Sequence, residues 1–146
     1  MKTVLFLCTG NACRSQMAEG WARALLAGQV KPFSAGTRPG REVDPRAVKA
    51  MAEAGADISG QRPKTLEMFK DGDFDLVVTL CDNAREACPV YWGKARKIHN
   101  GFDDPATVAG KGATEESAMP HYRRVRDEIK AFVLKLPEIL KEGEMK

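Results

Sequence analysis

No stretch of the 146-residue chain stays apolar long enough to cross a bilayer, which takes about 20 consecutive residues. The apolar start, Met1-Lys2-Thr3-Val4-Leu5-Phe6-Leu7-Cys8, runs at once into Gly10-Asn11-Ala12-Cys13-Arg14. It therefore lacks the small-residue cleavage pattern of an export signal, and the expected compartment is a reducing cytoplasm. An excess of one charge is also missing: 23 Lys and Arg face 20 Asp and Glu, a formal net charge of +3. Aromatic residues are few, at 7%, and interleave with no basic stripe, so nucleic acid is not an expected partner. The two histidines, His99 and His121, show no ligand spacing with the cysteines. Four cysteines occur, with four residues between Cys8 and Cys13 and six between Cys81 and Cys88. Zinc sites usually separate paired cysteines by about two to four residues, so a thiol-based metal or metalloid sensor is the weaker reading. No internal repeat or compositional break divides the chain, and one domain spanning 1–146 is expected. A domain of this length buries enough apolar surface to need no metal or disulfide staple.

Strand and helix signals alternate along the chain. Residues 3–7 are β-branched, aromatic and apolar throughout, as a strand covered on both faces requires. A helix is expected over 15–27, where Met17, Trp21, Leu25 and Gly28 recur at helical spacing. Residues 30–34 are read as a second strand. Asp44-Pro45 is a helix start, with Asp as the cap and Pro at the first helical position, and Val48, Met51, Ala52 and Gly55 give the core face and stop. Residues 74–80 and 95–98 supply a third and a fourth strand. The Gly-, Ala-, Thr- and Ser-rich stretch 105–119 reads as a mobile loop. A last helix places Tyr122, Val125, Ile129, Phe132, Val133 and Leu136 on one stripe, is ended or kinked by Pro137, and leaves a frayed tail from Glu138. The class implied is α/β: a single-domain four-stranded parallel sheet with helices on both faces. Ligands in such folds bind beyond the carboxyl ends of the strands, where Cys8, Cys81 and the Asp103-Asp104 pair all fall.

The most informative stretch is Cys8-Thr9-Gly10-Asn11-Ala12-Cys13-Arg14-Ser15, which joins a strand end to a helix start. Backbone N–H groups from Thr9, Gly10, Asn11, Ala12, Cys13 and Arg14 can turn inward there as a nest for an anion. The helix N-terminus adds partial positive charge, and the Arg14 fork can bind two oxygens of a tetrahedral oxyanion. These features favour a thiolate at Cys8, with Ser15 as a hydrogen-bond donor to the sulfur. Gly10 permits close backbone approach, and Asn11 tolerates a left-handed conformation. Displacement at an oxyanion also needs an acid for the departing oxygen. Asp104, held extended by Pro105, is the candidate, with Asp103 as the nearby alternative.

Cys81 and Cys88 would lie roughly 10 Å apart along a helix, beyond the about 4.4–6.8 Å between Cα atoms that a disulfide tolerates. Pairing them would require that segment to unwind, a possible switch. Cys13 is expected to be structural or a site of overoxidation.

The loop from Cys8 to Ser15 resembles the phosphate-binding loop of the low-molecular-weight protein tyrosine phosphatases. Residues 5–20 resemble more closely the arsenate reductases that share that fold, and Gln16 stands where the phosphatases usually carry Pro. The resemblance extends over residues 3–134 and includes Phe33-Ser34-Ala35-Gly36, Ile58-Ser59, the turn at 101–106, and Arg124-Val125-Arg126-Asp127-Glu128-Ile129. It implies that Cys8 attacks arsenate, that Cys81 attacks the Cys8 sulfur as arsenite leaves, and that Cys88 then pairs with Cys81 in a disulfide reduced by thioredoxin. Phosphate and sulfate would compete as anions, the protein would act as a monomer, and no cofactor would be required. Hydrolysis of phosphotyrosine by the same Cys8, Arg14 and Asp104 is the alternative activity. In some of these reductases a potassium ion sits behind the cradle. Asn11, Glu19 and Ser34 match its ligand positions, but Lys64 falls where an Asp ligand is expected. The expectations here are a Lys64 ammonium in the cation's place, with activity independent of potassium, or a solvated surface lysine.

Overall fold

The computed structural model describes residues 1–80 and 95–144. Cys81, Cys88, Tyr91 and Trp92 lie outside the described residues. The elements are β1 (Lys2–Cys8), α1 (Arg14–Leu25), β2 (Val30–Gly36), α2 (Pro45–Glu53), a 3-10 turn (Leu66–Phe69), β3 (Leu76–Thr79), β4 (Arg96–His99), α3 (Pro105–Ala109), α4 (Glu115–Val133) and α5 (Leu136–Glu144).

The four strands form one parallel sheet in the order β2-β1-β3-β4. Val4, Leu5, Phe6 and Leu7 are each fully buried. Successive strand side chains point to opposite faces, so β1 is covered on both, which is why it reads as an unbroken apolar run. Pro32, which has no N–H to give, lies in β2 at the sheet edge, where a missing donor is tolerated. Trp21 of α1 donates from Nε1 to the Arg126 carbonyl of α4 at 3.1 Å, and Lys130 sits over its ring at 5.1 Å. The apolar stripe of α4 (Tyr122, Val125, Ile129, Phe132 and Val133) is buried as expected.

Three expectations fail. Residues 105–119 are not a continuous loop. Asp104 caps α3, with Pro105 at its first position, and Gly110 (φ 94°) ends it. Thr114 then caps α4 by accepting from the Ser117 N–H at 3.1 Å. Nor does Pro137 end a helix: α4 stops at Val133, and Pro137 occupies the first turn of α5, where its missing N–H costs nothing. The tail is therefore helical to Glu144, and Arg96 of β4 anchors it at the Ile139 carbonyl. Finally, the expected helix faces are narrower: Leu25 of α1 and Ala52 of α2 are exposed, and Gly28 lies in the turn beyond α1, at φ 86°. No helix among the described residues is long and apolar enough to cross a membrane.

Candidate active site

β1 connects to β2 on one side, after which the chain crosses to β3 on the other. The crevice at the carboxyl end of β1 is thus the topological switch point, and Cys8 stands at its mouth. From Cys8 the chain turns directly into α1, whose N-cap residue Cys13 supplies no side-chain cap and whose first turn carries no acid. The first amides of α1 are left for a ligand, with the positive end of the helix dipole behind them.

What turns the loop into a cradle is a strap from the other side of β2. The Arg38 N–H donates to the Thr9 carbonyl at 2.8 Å, that of Gly40 to Gly10 at 2.9 Å, and that of Asp44 to Ala12 at 2.8 Å. The peptides among the described residues are all trans, so three carbonyls pulled outward turn the N–H groups of Gly10, Asn11 and Cys13 the opposite way. The Asn11 N–H reaches the Cys8 sulfur at 3.2 Å. Asn11 itself is left-handed, at φ 49°, as its place in the turn requires. The strap is pinned in turn by Asp44, which caps α2 through the Arg46 N–H at 2.9 Å and accepts a short hydrogen bond from the Tyr122 hydroxyl. Burial, followed by that bond to Asp44, pushes the Tyr122 phenol well above its ordinary range, so it stays a donor.

Ser15 Oγ lies 2.8 Å from Cys8 Sγ, and both residues are buried. The Asn11 side-chain amide donates to the same Oγ at 2.7 Å. With that lone pair engaged, the Ser15 proton is free to point at the sulfur, and toward a Cys8 thiolate, which has no proton of its own, Ser15 is the donor. Behind it, Gln16 Nε2 donates to Asn11 Oδ1 at 2.9 Å, and Gln61 Nε2 donates to Gln16 Oε1 at 2.7 Å. The Lys64 N–H gives Asn11 Oδ1 a second donor at 2.8 Å. Asn11 is thereby locked in the orientation that serves Ser15.

Arg14 closes the front. Its Nη1 donates to the Phe102 carbonyl at 3.1 Å, and its Nη2 lies 3.8 Å from Asp104 Oδ2. The acid loop and the cradle therefore meet through this guanidinium. Asp104 also accepts from the Ala106 N–H at 3.1 Å and the Thr107 hydroxyl at 3.0 Å, so the carboxylate that faces Arg14 is oriented by the helix it caps. Asp103 points elsewhere, to Arg124 Nη2 at 3.1 Å. Of the two acids the sequence offered, Asp104 is the one beside the cradle. Cys13 is buried, and burial above all, with the Asp44 and Cys8 charges adding to it, raises its thiol well above the ordinary value. A thiol so held is a poor nucleophile.

Glu19, Ser34 and Lys64 meet behind the loop. Ser34 donates to Glu19 Oε1 at 2.6 Å, and Lys64 Nζ lies 3.5 Å from the same oxygen and 3.4 Å from Ser34 Oγ. Arg23 takes the other Glu19 oxygen at 2.7 Å. Among the described residues no group of three His, Cys, Asp or Glu side chains is placed to hold a metal ion.

The tight glycine of the site is Gly36, not Gly10. A Cβ at Gly10 meets nothing closer than Ala12 Cβ at 3.9 Å, whereas one at Gly36 falls 2.6 Å from the Thr9 carbonyl oxygen and 2.9 Å from the Asn11 nitrogen. Gly36 pairs with Cys8 across β1 and β2, which puts it directly under the turn. Gly36→Ala is expected to force the loop outward and weaken phosphate binding by about tenfold, the equivalent of 1.4 kcal/mol. Calorimetric titration with phosphate checks this, alongside a melting curve.

The strap at 38–44, Gln61 and the Tyr122–Asp44 contact carry no sequence signal for the site beyond the Asp44-Pro45 helix start, and Gly36 and Gln16, both part of the resemblance, carry no sign of the close approach and hydrogen bonds they make here.

A profile of the family described as low molecular weight phosphotyrosine protein phosphatase matches residues 3–145. The arsenate reductase of Bacillus subtilis (strain 168) is 48% identical over 128 residues, covering 88% of this chain and 89% of that one. A solved structure described as an arsenate reductase in the phosphate binding state superposes with a TM-score of 0.77 at 35% identity, covering 96% of this chain and 99% of the other. A low molecular weight protein tyrosine phosphatase from T. tengcongensis follows at 0.74 and 27%, covering 94% and 99%. With the cradle, its arginine and its facing acid in place, the chain belongs to the low molecular weight phosphotyrosine protein phosphatase family, among its arsenate reductase members.

Proposed function

We propose that this chain reduces arsenate to arsenite by thiol chemistry at Cys8. The observation that carries the reading is the Cys8 sulfur itself, at the floor of an inward-facing amide nest, 2.8 Å from the Ser15 hydroxyl and 3.2 Å from the Asn11 N–H. A tetrahedral oxyanion on those amides, gripped by Arg14, presents its central atom to the sulfur. Cys8 forms an S–As bond, and one arsenate hydroxyl departs as water after taking a proton from the carboxylic acid form of Asp104. The Cys81 thiolate attacks the Cys8 sulfur. The S–As bonding pair stays on arsenic, which leaves as arsenite, two electrons richer. Cys88 attacks Cys81, releasing the Cys8 thiolate, and the Cys81–Cys88 disulfide is reduced by an external dithiol protein, thioredoxin. Every step up to the Cys81–Cys88 disulfide uses one chain, so a monomer suffices, and free thiols of this kind suit a reducing cytoplasm.

A phosphatase needs only water after the first step, so the two activities separate cleanly. Arsenate-dependent oxidation of reduced thioredoxin should far exceed hydrolysis of an aryl phosphate by the same preparation. The reverse order would make phosphate ester hydrolysis the main activity.

The Lys64 ammonium replaces a monovalent cation behind the cradle. Two features support this: Glu19 already has Lys64 and Arg23 as cationic partners, and Lys64 Nζ also donates to the Arg62 carbonyl at 2.9 Å. A buried carboxylate so neutralised holds no charge for a further cation. Turnover is expected to be equal in potassium chloride and in a salt of a large organic cation. A several-fold gain in potassium would overturn the assignment.

A further inference from the structure

The strap that shapes the cradle also carries charge. Arg38, Arg41 and Glu42 are all exposed, and no ion pair among the described residues engages them. The other charged groups on the strap and at its landing points are committed: Asp44 to Tyr122 and the α2 cap, and Arg46 to the Ala113 carbonyl. The strap backbone touches the outer wall of the cradle at Thr9, Gly10 and Ala12. Its exposed charges therefore belong to the segment that frames the cradle, and such charges act over about one Debye length, about 8 Å at physiological salt.

We propose that Arg38 and Arg41 form an electrostatic rim that draws inorganic oxyanions to the cradle, opposed by Glu42 on the same strap. This deepens the arsenate reading and rests on it for the substrate, although the rim itself acts on any small tetrahedral oxyanion. It is a positioning role. The two guanidiniums raise the local concentration of anion, whereas Arg14 and the amides hold the anion for reaction. Coulomb's law in water makes each unit charge at about 10 Å from a mono- to dianionic ligand worth about two- to fourfold in affinity. Because the charges are exposed, salt should erase their effect, while the contacts of Arg14 persist.

The test is calorimetric titration of the intact protein with inorganic phosphate at about 20 mM and about 0.5 M salt. Arg38→Gln and Arg41→Gln should each weaken binding two- to fourfold at low salt, the double variant about tenfold, and all should converge on wild type at high salt. Glu42→Gln should tighten binding by a similar factor, a sign that loss of packing cannot produce. Equal affinities at low salt would overturn the proposal. So would a loss that persists at high salt, or a Glu42→Gln variant that binds more weakly. Phosphate binding that follows these charges in a protein that turns over no arsenate would support the rim and locate the fault in the arsenate reading alone.

Discussion

Replacing Cys8 by serine is expected to abolish arsenate reduction, by roughly 10⁴-fold or more, because the variant retains the site but loses the atom that reacts. Cys8 is 2% exposed and lies between the Ser15 hydroxyl and the Asn11 amide, an environment that a serine hydroxyl can enter without a clash. Such a hydroxyl is a weak nucleophile with no adjacent base, and it can form neither an S–As bond nor a disulfide. The cradle, by contrast, is built from backbone amides held by the strap, so phosphate should still bind. Arsenite assay and phosphate titration of the same preparation separate the two. Residual turnover within tenfold of wild type would place the nucleophile elsewhere.

The second large effect is at Arg14. Arg14→Lys keeps the charge and removes the planar fork, so it isolates geometry from electrostatics. In the structure one arm of the guanidinium donates to the Phe102 carbonyl at 3.1 Å while the other faces Asp104 at 3.8 Å. The fork therefore links the acid loop to the cradle, and a bound oxyanion must draw on the same donors. An ammonium has no paired, coplanar N–H groups, so both the bidentate grip and the register of Asp104 are lost. The expected cost is about 10²-fold in kcat/KM, the size seen when a single donor to a transition-state oxyanion is removed. Steady-state kinetics check it, and an unchanged melting temperature would confirm that the defect is local.

Local patterns carried most of the fold into the sequence. The run Val4–Leu7 could only be a doubly covered strand, and a cysteine at its end with an arginine six residues on marked the anion loop. Asp-Pro occurs at two helix starts, and only the first looks like one: patterning predicts a helix at Asp44-Pro45 and a turn at Asp104-Pro105, although both cap helices by the same physics. Glycines and small polar residues at 110–117 masked the caps of α3 and α4. What was not legible is non-local. Gly36 meets the cradle only because strand register pairs it with Cys8, and the strap meets Thr9, Gly10 and Ala12 only after β2 has folded beside β1. The Gln61–Gln16–Asn11 chain spans 50 positions in sequence and leaves no periodic trace. Resemblance alone, not patterning, brought Glu19, Ser34 and Lys64 together, and the structure places them within hydrogen-bonding or ion-pair distance.

The thiol relay is tested most directly by counting arsenite. Cys88→Ser should release one arsenite per enzyme and then stop, trapped with Cys8 and Cys81 joined, while wild type with thioredoxin continues through many cycles. Sustained turnover by Cys88→Ser at the wild-type rate would contradict the relay.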